Sequence, residues 1–247
     1  MILDRRRLRR SKSGWEWVRP PKNTNGDADT WTSLIPRPIA GLNRAVATGF
    51  LVSPNLLMTA GHCVRGGSCF TGSLKAEQMA FVFDLTESWF HLERSPAFSD
   101  AQVYFGSSLL AGEFNARFMD IPDWAVIKLD RPPAQARTRY LPATNTAGEN
   151  ELSMVGHPDG RLQMCWSGRK INSEPVVGAP FCLLETPALP GASGSPVLNR
   201  QERLVGILAG TASDAAIKTM AAQVLVKGAT TVSRFTPGSV FRDWLSQ

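Results

Sequence analysis

The chain's 247 residues are 43% hydrophobic and 19% charged, with no internal repeat and no low-complexity tract. This composition excludes a fibrous or wholly disordered protein and leaves room for one large domain or two small ones around real cores. The formal net charge of +6 excludes less than it suggests, because all of it resides in residues 1–22, where Arg5, Arg6, Arg7, Arg9, Arg10, Lys12, Arg19 and Lys22 face only Asp4 and Glu16. The remaining chain is formally neutral, so no broad basic face for nucleic acid is expected on it. No apolar run approaches the length of a membrane-spanning helix.

Residues 1–33 read as a basic, flexible tail. The Arg run is followed by Ser11-Lys12-Ser13-Gly14-Trp15-Glu16 in place of an apolar stretch, so the opening lacks the form of a secretory signal. The polar run 20–27 resists packing, while Trp15, Trp17 and Val18 are candidates to dock. A linker, a removable pro-segment and an anchor for an anionic surface all remain open for this segment. From there on, short β-branched and apolar runs recur between Gly, Pro and Asn, at 49–52, 56–59, 79–83, 102–105, 124–129, 152–155, 182–184, 197–198, 204–208 and 222–226. Short, regularly spaced strands with turn chemistry between them predict a sandwich or a barrel. The stretch 65–116 is polar in patches and reads as surface loops. Asp130-Arg131-Pro132-Pro133-Ala134 interrupts the pattern, and a helix is expected only at the end, capped by Ser239, with Val240, Phe241, Trp244 and Leu245 on one face.

Three motifs carry chemistry: Thr59-Ala60-Gly61-His62-Cys63, Asp123-Trp124-Ala125-Val126 and Gly191-Ala192-Ser193-Gly194-Ser195-Pro196. A serine hydroxyl is too weak an acid to attack an amide at neutral pH unless a base takes its proton, and that base must be held in one tautomer. Ser193, His62 and Asp123 supply nucleophile, base and orienting acid, with Asp120 as the competing carboxylate. Gly191 can adopt a positive φ, which lets the N–H groups of Gly191 and Ser193 converge on one point where an oxyanion would form. His91 and His157 lie in polar loop and turn contexts. Neither zinc-ligand spacing nor a phosphate-cradling Gly-rich loop is present, so no metal and no cofactor is implied.

On these motifs, in the order His, Asp, Ser, the chain resembles the trypsin/chymotrypsin-like serine endopeptidases over residues 34–247. Ser195 stands where the animal enzymes have glycine, which places it nearest the bacterial trypsin-like, glutamyl-endopeptidase-type branch. The resemblance implies an all-β fold of two packed antiparallel six-stranded β-barrels with a C-terminal helix, the first barrel spanning about 34–131 and the second about 134–247. It implies peptide-bond hydrolysis of protein or peptide substrates through an acyl-enzyme intermediate. The corresponding specificity pocket has its base at Pro187, flanked by Thr186 and Ala188, and no carboxylate there to pair with Lys or Arg. Cleavage after apolar or small uncharged residues is therefore expected, with the backbone of Leu208, Ala209 and Gly210 pairing with substrate. Ala192 replaces the aspartate that pairs with a new N-terminus in the animal enzymes, so the oxyanion hole must be held by the turn's own bonds and packing. The competing readings are a catalytically inactive protease-like binding module and an esterase with the same triad. The family implies secretion, and the cytoplasm stays open.

Many relatives bridge the cysteine after the catalytic histidine to one sixteen residues earlier, but that position here is Ala47. Cys63 is then either a thiol or bridged to Cys69 across a Gly-rich loop, and the segments of Cys165 and Cys182 are expected to be neighbouring antiparallel strands, so a bridge between these two is sterically reasonable.

Overall fold

A computed structural model of the chain describes residues 1–18, 47–66, 70–71, 74–85, 97–114, 122–134, 150–160, 163–171, 181–186, 191–211 and 232–245. The first half contributes β1 (Ile2–Asp4), β2 (Leu8–Ser11), β3 (Gly14–Trp17), β4 (Phe50–Ser53), β5 (Leu56–Thr59), β6 (Val64–Gly66), β7 (Phe70–Thr71), β8 (Leu74–Lys75), β9 (Met79–Val82), β10 (Ala97–Phe98), β11 (Val103–Glu113) and β12 (Trp124–Leu129). Six of these form one antiparallel sheet in the order β1-β9-β11-β12-β5-β4, and its two edges approach at a bridge between Ile2 and Ala47. The second half contributes β13 (Glu151–Gly156), β14 (Met164–Lys170), β15 (Cys182–Glu185), β16 (Pro196–Leu198), β17 (Leu204–Thr211) and β18 (Ser233–Pro237), which close into a barrel in the order β13-β14-β15-β18-β17-β16. The expected pair of six-stranded β-units is thus present.

Alternation within the strands explains where each face goes. In β9, Met79 and Phe81 enter the core of the first barrel, while Ala80 and Val82 pack outward against Met1, Leu3, Trp17 and Phe98. In β12, Ala125 and Ile127 face the same core, whereas Trp124 and Val126 meet Leu204, Ile207 and Phe241 between the two halves. A strand covered on both faces reads as an unbroken apolar run, as Met79–Val82 does.

The opening residues depart from the expected tail. Ile2 and Leu3 are fully buried, β1 pairs with β9 along Ile2–Phe81 to Asp4–Met79, and the Met1 nitrogen donates to Val82 O at 3.0 Å. β2 and β3 form a hairpin that extends through β10 and brings Trp15 edge-on to Phe105. Trp17 is buried and Val18 is exposed. The arginines conceal this from composition: Arg5–Arg7 form a 3-10 turn on the outside, and Arg6, Arg9 and Arg10 pair with Asp4, Glu16 and Asp100. Residues 19–33 lie outside the described residues.

Other differences are smaller. β11 runs for eleven residues where only 102–105 were expected, β14 is the strand expected around Cys165, next to that of Cys182, and β18, in which polar residues interrupt the apolar pattern, was not anticipated. The run 222–226 lies outside the described residues. The terminal helix α1 (Arg242–Leu245) is short, and Ser239 belongs to a preceding 3-10 turn, Gly238–Val240, instead of capping it. Phe241 still packs into the inter-barrel cluster, with Val240, Trp244 and Leu245 beside it. Among the described residues no helix is long and apolar enough to cross a membrane.

Candidate active site

His62 follows the end of β5, Asp123 directly precedes β12, and Ser193 lies on the turn that leads into β16. β5 ends at Thr59, whose buried hydroxyl donates to Thr48 O at 2.7 Å, and the chain then tightens into the 3-10 turn Gly61–Cys63. Position 61 has no room for a side chain: a Cβ would lie 2.7 Å from Phe114 Cβ and 2.5 Å from Glu113 O. This close passage carries His62 past the end of β11 to Asp123, and the His62 ring stands 5.8 Å from the Phe114 ring.

Asp123, immediately before β12, is buried and doubly engaged with His62: its Oδ1 accepts the His62 backbone N–H and its Oδ2 meets Nδ1, both at 2.8 Å. An Nδ1–H bond to a carboxylate leaves Nε2 as the ring's basic nitrogen. Burial works against the imidazolium, but the adjoining Cys63 and the Asp123 carboxylate outweigh it, and His62 titrates well above its ordinary value of 6.5. Asp123 is fixed in turn from the second barrel. Its N–H donates to Thr236 Oγ1 at 3.0 Å, and the Thr236 hydroxyl donates to Asp123 O at 3.1 Å. The Arg234 guanidinium lies 3.8 Å from Asp123 Oδ2. Asp120 lies outside the described residues.

Ser193 sits on a turn of the second barrel with Gly191 at φ +79 and Gly194 at φ +85, the left-handed backbone that glycine adopts without cost. Gly194 is also where the two halves touch: a Cβ there would overlap Thr48 O and Thr59 Oγ1 and come within 2.9 Å of Ala60 N. The Ser193 turn is therefore seated on the strand end that leads into His62. Ser193 Oγ reaches Ala209 O at 3.5 Å, too long to hold the hydroxyl firmly. Gly194 N–H donates to Leu208 O and Ser195 N–H to Ala192 O, whereas among the described residues the N–H groups of Gly191 and Ser193 have no backbone acceptor.

The expected specificity residues are partly relocated. Thr186 is buried, with its hydroxyl donating to Ser167 O and its carbonyl accepting from Ser233 Oγ, so it braces β14, β15 and β18. Pro187 and Ala188 lie outside the described residues. Leu208 does not offer a free backbone to substrate, because its N–H donates to Ser195 O and its carbonyl accepts from Gly194. Among the described residues, β16 pairs with β17 only as far as Ile207, so Ala209 and Gly210 lie beyond that pairing.

The cysteine pairing is corrected too. β14 and β15 are neighbours, but their register opposes Arg169 to Glu185 and Lys170 to Leu184. Cys165 is therefore displaced well along the strands from Cys182 and lies exposed, while Cys182 points into the barrel core, and both are thiols. Burial pushes the Cys182 thiol up to about 11. Cys63 is buried in the first barrel's core, and Cys69 lies outside the described residues. Among the described residues no group of three or more His, Cys, Asp or Glu side chains is placed to hold a metal ion.

Thr48, Arg234 and Thr236 were not anticipated as part of the site. Each is isolated in sequence from any motif, and only the packing of one barrel on the other brings it to Asp123 or Ser193.

Residues 47–207 match the family described as "Trypsin-like peptidase domain". No curated protein matches the chain. Among solved structures, a Glu endopeptidase in complex with MPD is 16% identical, with 81% of this chain and 86% of that chain covered and a TM-score of 0.53. A thermostable serine protease, AL20, from an extremophilic microorganism is 14% identical, with coverage of 81% and 88% and a TM-score of 0.53. Kallikrein-related peptidase 10 in complex with Zn2+ is 16% identical, with coverage of 80% and 86% and a TM-score of 0.51. At these identities the structures speak for the fold, and the match over residues 47–207 speaks for the lineage: this chain belongs to the trypsin-like peptidase family.

Proposed function

We propose that the protein is a serine endopeptidase acting through His62, Asp123 and Ser193. The observation that carries this reading is the double hold of the Asp123 carboxylate on His62, through the backbone N–H and through Nδ1, each at 2.8 Å. It orients the ring and leaves Nε2 to take the proton from Ser193 Oγ as that oxygen attacks the substrate carbonyl. The carbonyl oxygen, now negative, is received by the N–H groups of Gly191 and Ser193. Collapse of the tetrahedral intermediate expels the amine, protonated by His62, and leaves an acyl-enzyme that water hydrolyses by the same steps.

Substrate lies as an added strand along Ala209 and Gly210. The residue before the scissile bond is apolar or small and uncharged. No carboxylate occupies positions 186–188, and nearby Glu185 is held by two bonds from Arg169, at 2.9 and 2.6 Å, which neutralise it. Ser193→Ala and His62→Ala are expected to lower peptide kcat by roughly four to six orders of magnitude, because the residues act as a unit. A fluorophosphonate should label the wild type and not Ser193→Ala. Near wild-type turnover by Ser193→Ala would remove the assignment. A folded wild type that neither turns over peptide nor takes the label would be a binding module.

A further inference from the structure

In the turn that presents Ser193, the residue before the nucleophile is Ala192, buried in the core of the second barrel, so that position supplies no acidic side chain to anchor the turn. Residues 192–195 close through a bond from Ser195 N–H to Ala192 O at 3.0 Å, with Gly194 at φ +85 in the third position, as in a type II turn. The same Ala192 oxygen accepts a second, shorter bond from Ser195 Oγ, at 2.7 Å, and Ser195 is fully buried. A trans peptide is planar, so its C=O and N–H point in opposite directions. Holding the Ala192 oxygen toward Ser195 therefore aims the N–H of the same peptide, that of Ser193, to the other side of the turn.

Thr48 secures the flanking peptides from the first barrel. It is buried, its N–H donates to Ser193 O at 2.8 Å, and its hydroxyl donates to Gly191 O at 3.0 Å while accepting His157 N–H at 2.9 Å. The carbonyls of Gly191, Ala192 and Ser193 are thus each tied to a donor outside the oxyanion hole. Gly156 supplies the space for this arrangement: a Cβ there would overlap Ser195 Oγ and lie 3.0 Å from Thr48 Oγ1.

We propose, resting on the serine-endopeptidase reading above, that Ser195 and Thr48 are positioning residues that set the oxyanion hole in this chain. They perform the task for which the animal enzymes use an ion pair. Neither touches substrate. A flip of the 192–193 peptide, which would turn the Ser193 N–H away, must break both Ser195 bonds and strain the Thr48 bonds on either side.

The test uses the full chain with Ser195→Ala, Ser195→Gly, Thr48→Val and Thr48→Ser, with turnover expressed per fluorophosphonate-titrated Ser193 so that only folded sites are counted. Loss of an oxyanion donor costs two to three orders of magnitude in kcat, and misaiming one should cost about tenfold with KM little changed. A peptidyl trifluoromethyl ketone forms a hemiketal oxyanion on Ser193, whose pKa, read by 19F NMR, should rise by about one unit in Ser195→Ala and Thr48→Val. The acid limb of the pH profile, which reports His62, should stay in place. Thr48→Ser, which keeps the hydroxyl, should restore kcat. Unchanged kcat and hemiketal pKa in Ser195→Ala, Ser195→Gly and Thr48→Val, beside an active wild type, would overturn the proposal. An inactive, unlabelled wild type would overturn the endopeptidase reading and this proposal together.

Discussion

At the scale of single residues, the weight falls on Asp123. It is a buried carboxylate that meets the His62 ring and backbone at 2.8 Å, with Arg234 at 3.8 Å. Because His62 titrates above 6.5 in this setting, kcat/KM should climb with pH as the ring loses its proton, with a midpoint above that value. Asp123→Asn should bring the midpoint down and cut kcat by about four orders of magnitude, since the amide no longer selects the productive tautomer. A pH–rate profile of both forms checks this, and a wild-type midpoint at or below 6.5 would count against it. The same shift has a stability counterpart. The folded chain holds the His62 proton more tightly than the unfolded chain, so the contribution is fully present below the unfolded value and fades as pH rises through the folded one. Thermal melts of Ser193→Ala, which cannot digest itself, should show that decline.

Among the elements, β1 changes the expectation most. A flexible tail would be removable without consequence, but Ile2 and Leu3 are fully buried and β1 forms the sheet edge on β9. Ile2→Ala should cost about 2–4 kcal/mol, as truncation of a buried aliphatic side chain does. Deleting residues 1–18 should lower the melting temperature and expose the apolar outer face of β9. Arg7→Gln, on the outer turn, should leave the melting temperature nearly unchanged. Wild-type melting of the deleted chain, measured by calorimetry, would restore the separable-tail reading.

At the scale of the whole molecule, the candidate site is assembled across the contact between barrels. Asp123 of the first is bonded to Thr236 of the second, and Thr48 of the first to Gly191 and Ser193 of the second. The cluster of Val52, Met58, Trp124, Val126, Leu204, Ile207 and Phe241 holds that contact. Phe241 is 1% exposed, and Phe241→Ala should cost about 3–5 kcal/mol. Activity should fall at lower urea than in the wild type, in step with loss of structure, although the substitution lies outside the motifs. Urea melts followed by both turnover and fluorescence would check the coupling, and an unchanged activity midpoint would contradict it.

Local pattern was enough for much of this. Leu56–Thr59 and Trp124–Leu129 are legible as strands because apolar side chains crowd both faces. His62, Asp123 and Ser193 are legible as candidates because the turns around them need particular residues at particular offsets. Gly61 must pass between packed backbone, and Gly191 and Gly194 must take positive φ. What tertiary structure alone decided involves residues whose partners are distant in sequence. Ile2 and Leu3 are hidden by the charge of the Arg turn that follows them. Leu208 has its backbone taken by Gly194 and Ser195, and Cys165 is separated from Cys182 by strand register. Thr48, Ser195 and Thr236 carry only a hydroxyl, common anywhere in a chain, and its meaning lies in the carbonyl it faces. Periodicity and turn chemistry are local and survive in a string of letters, whereas a hydrogen bond from Thr48 to Gly191, 143 positions away, exists only once two barrels have packed.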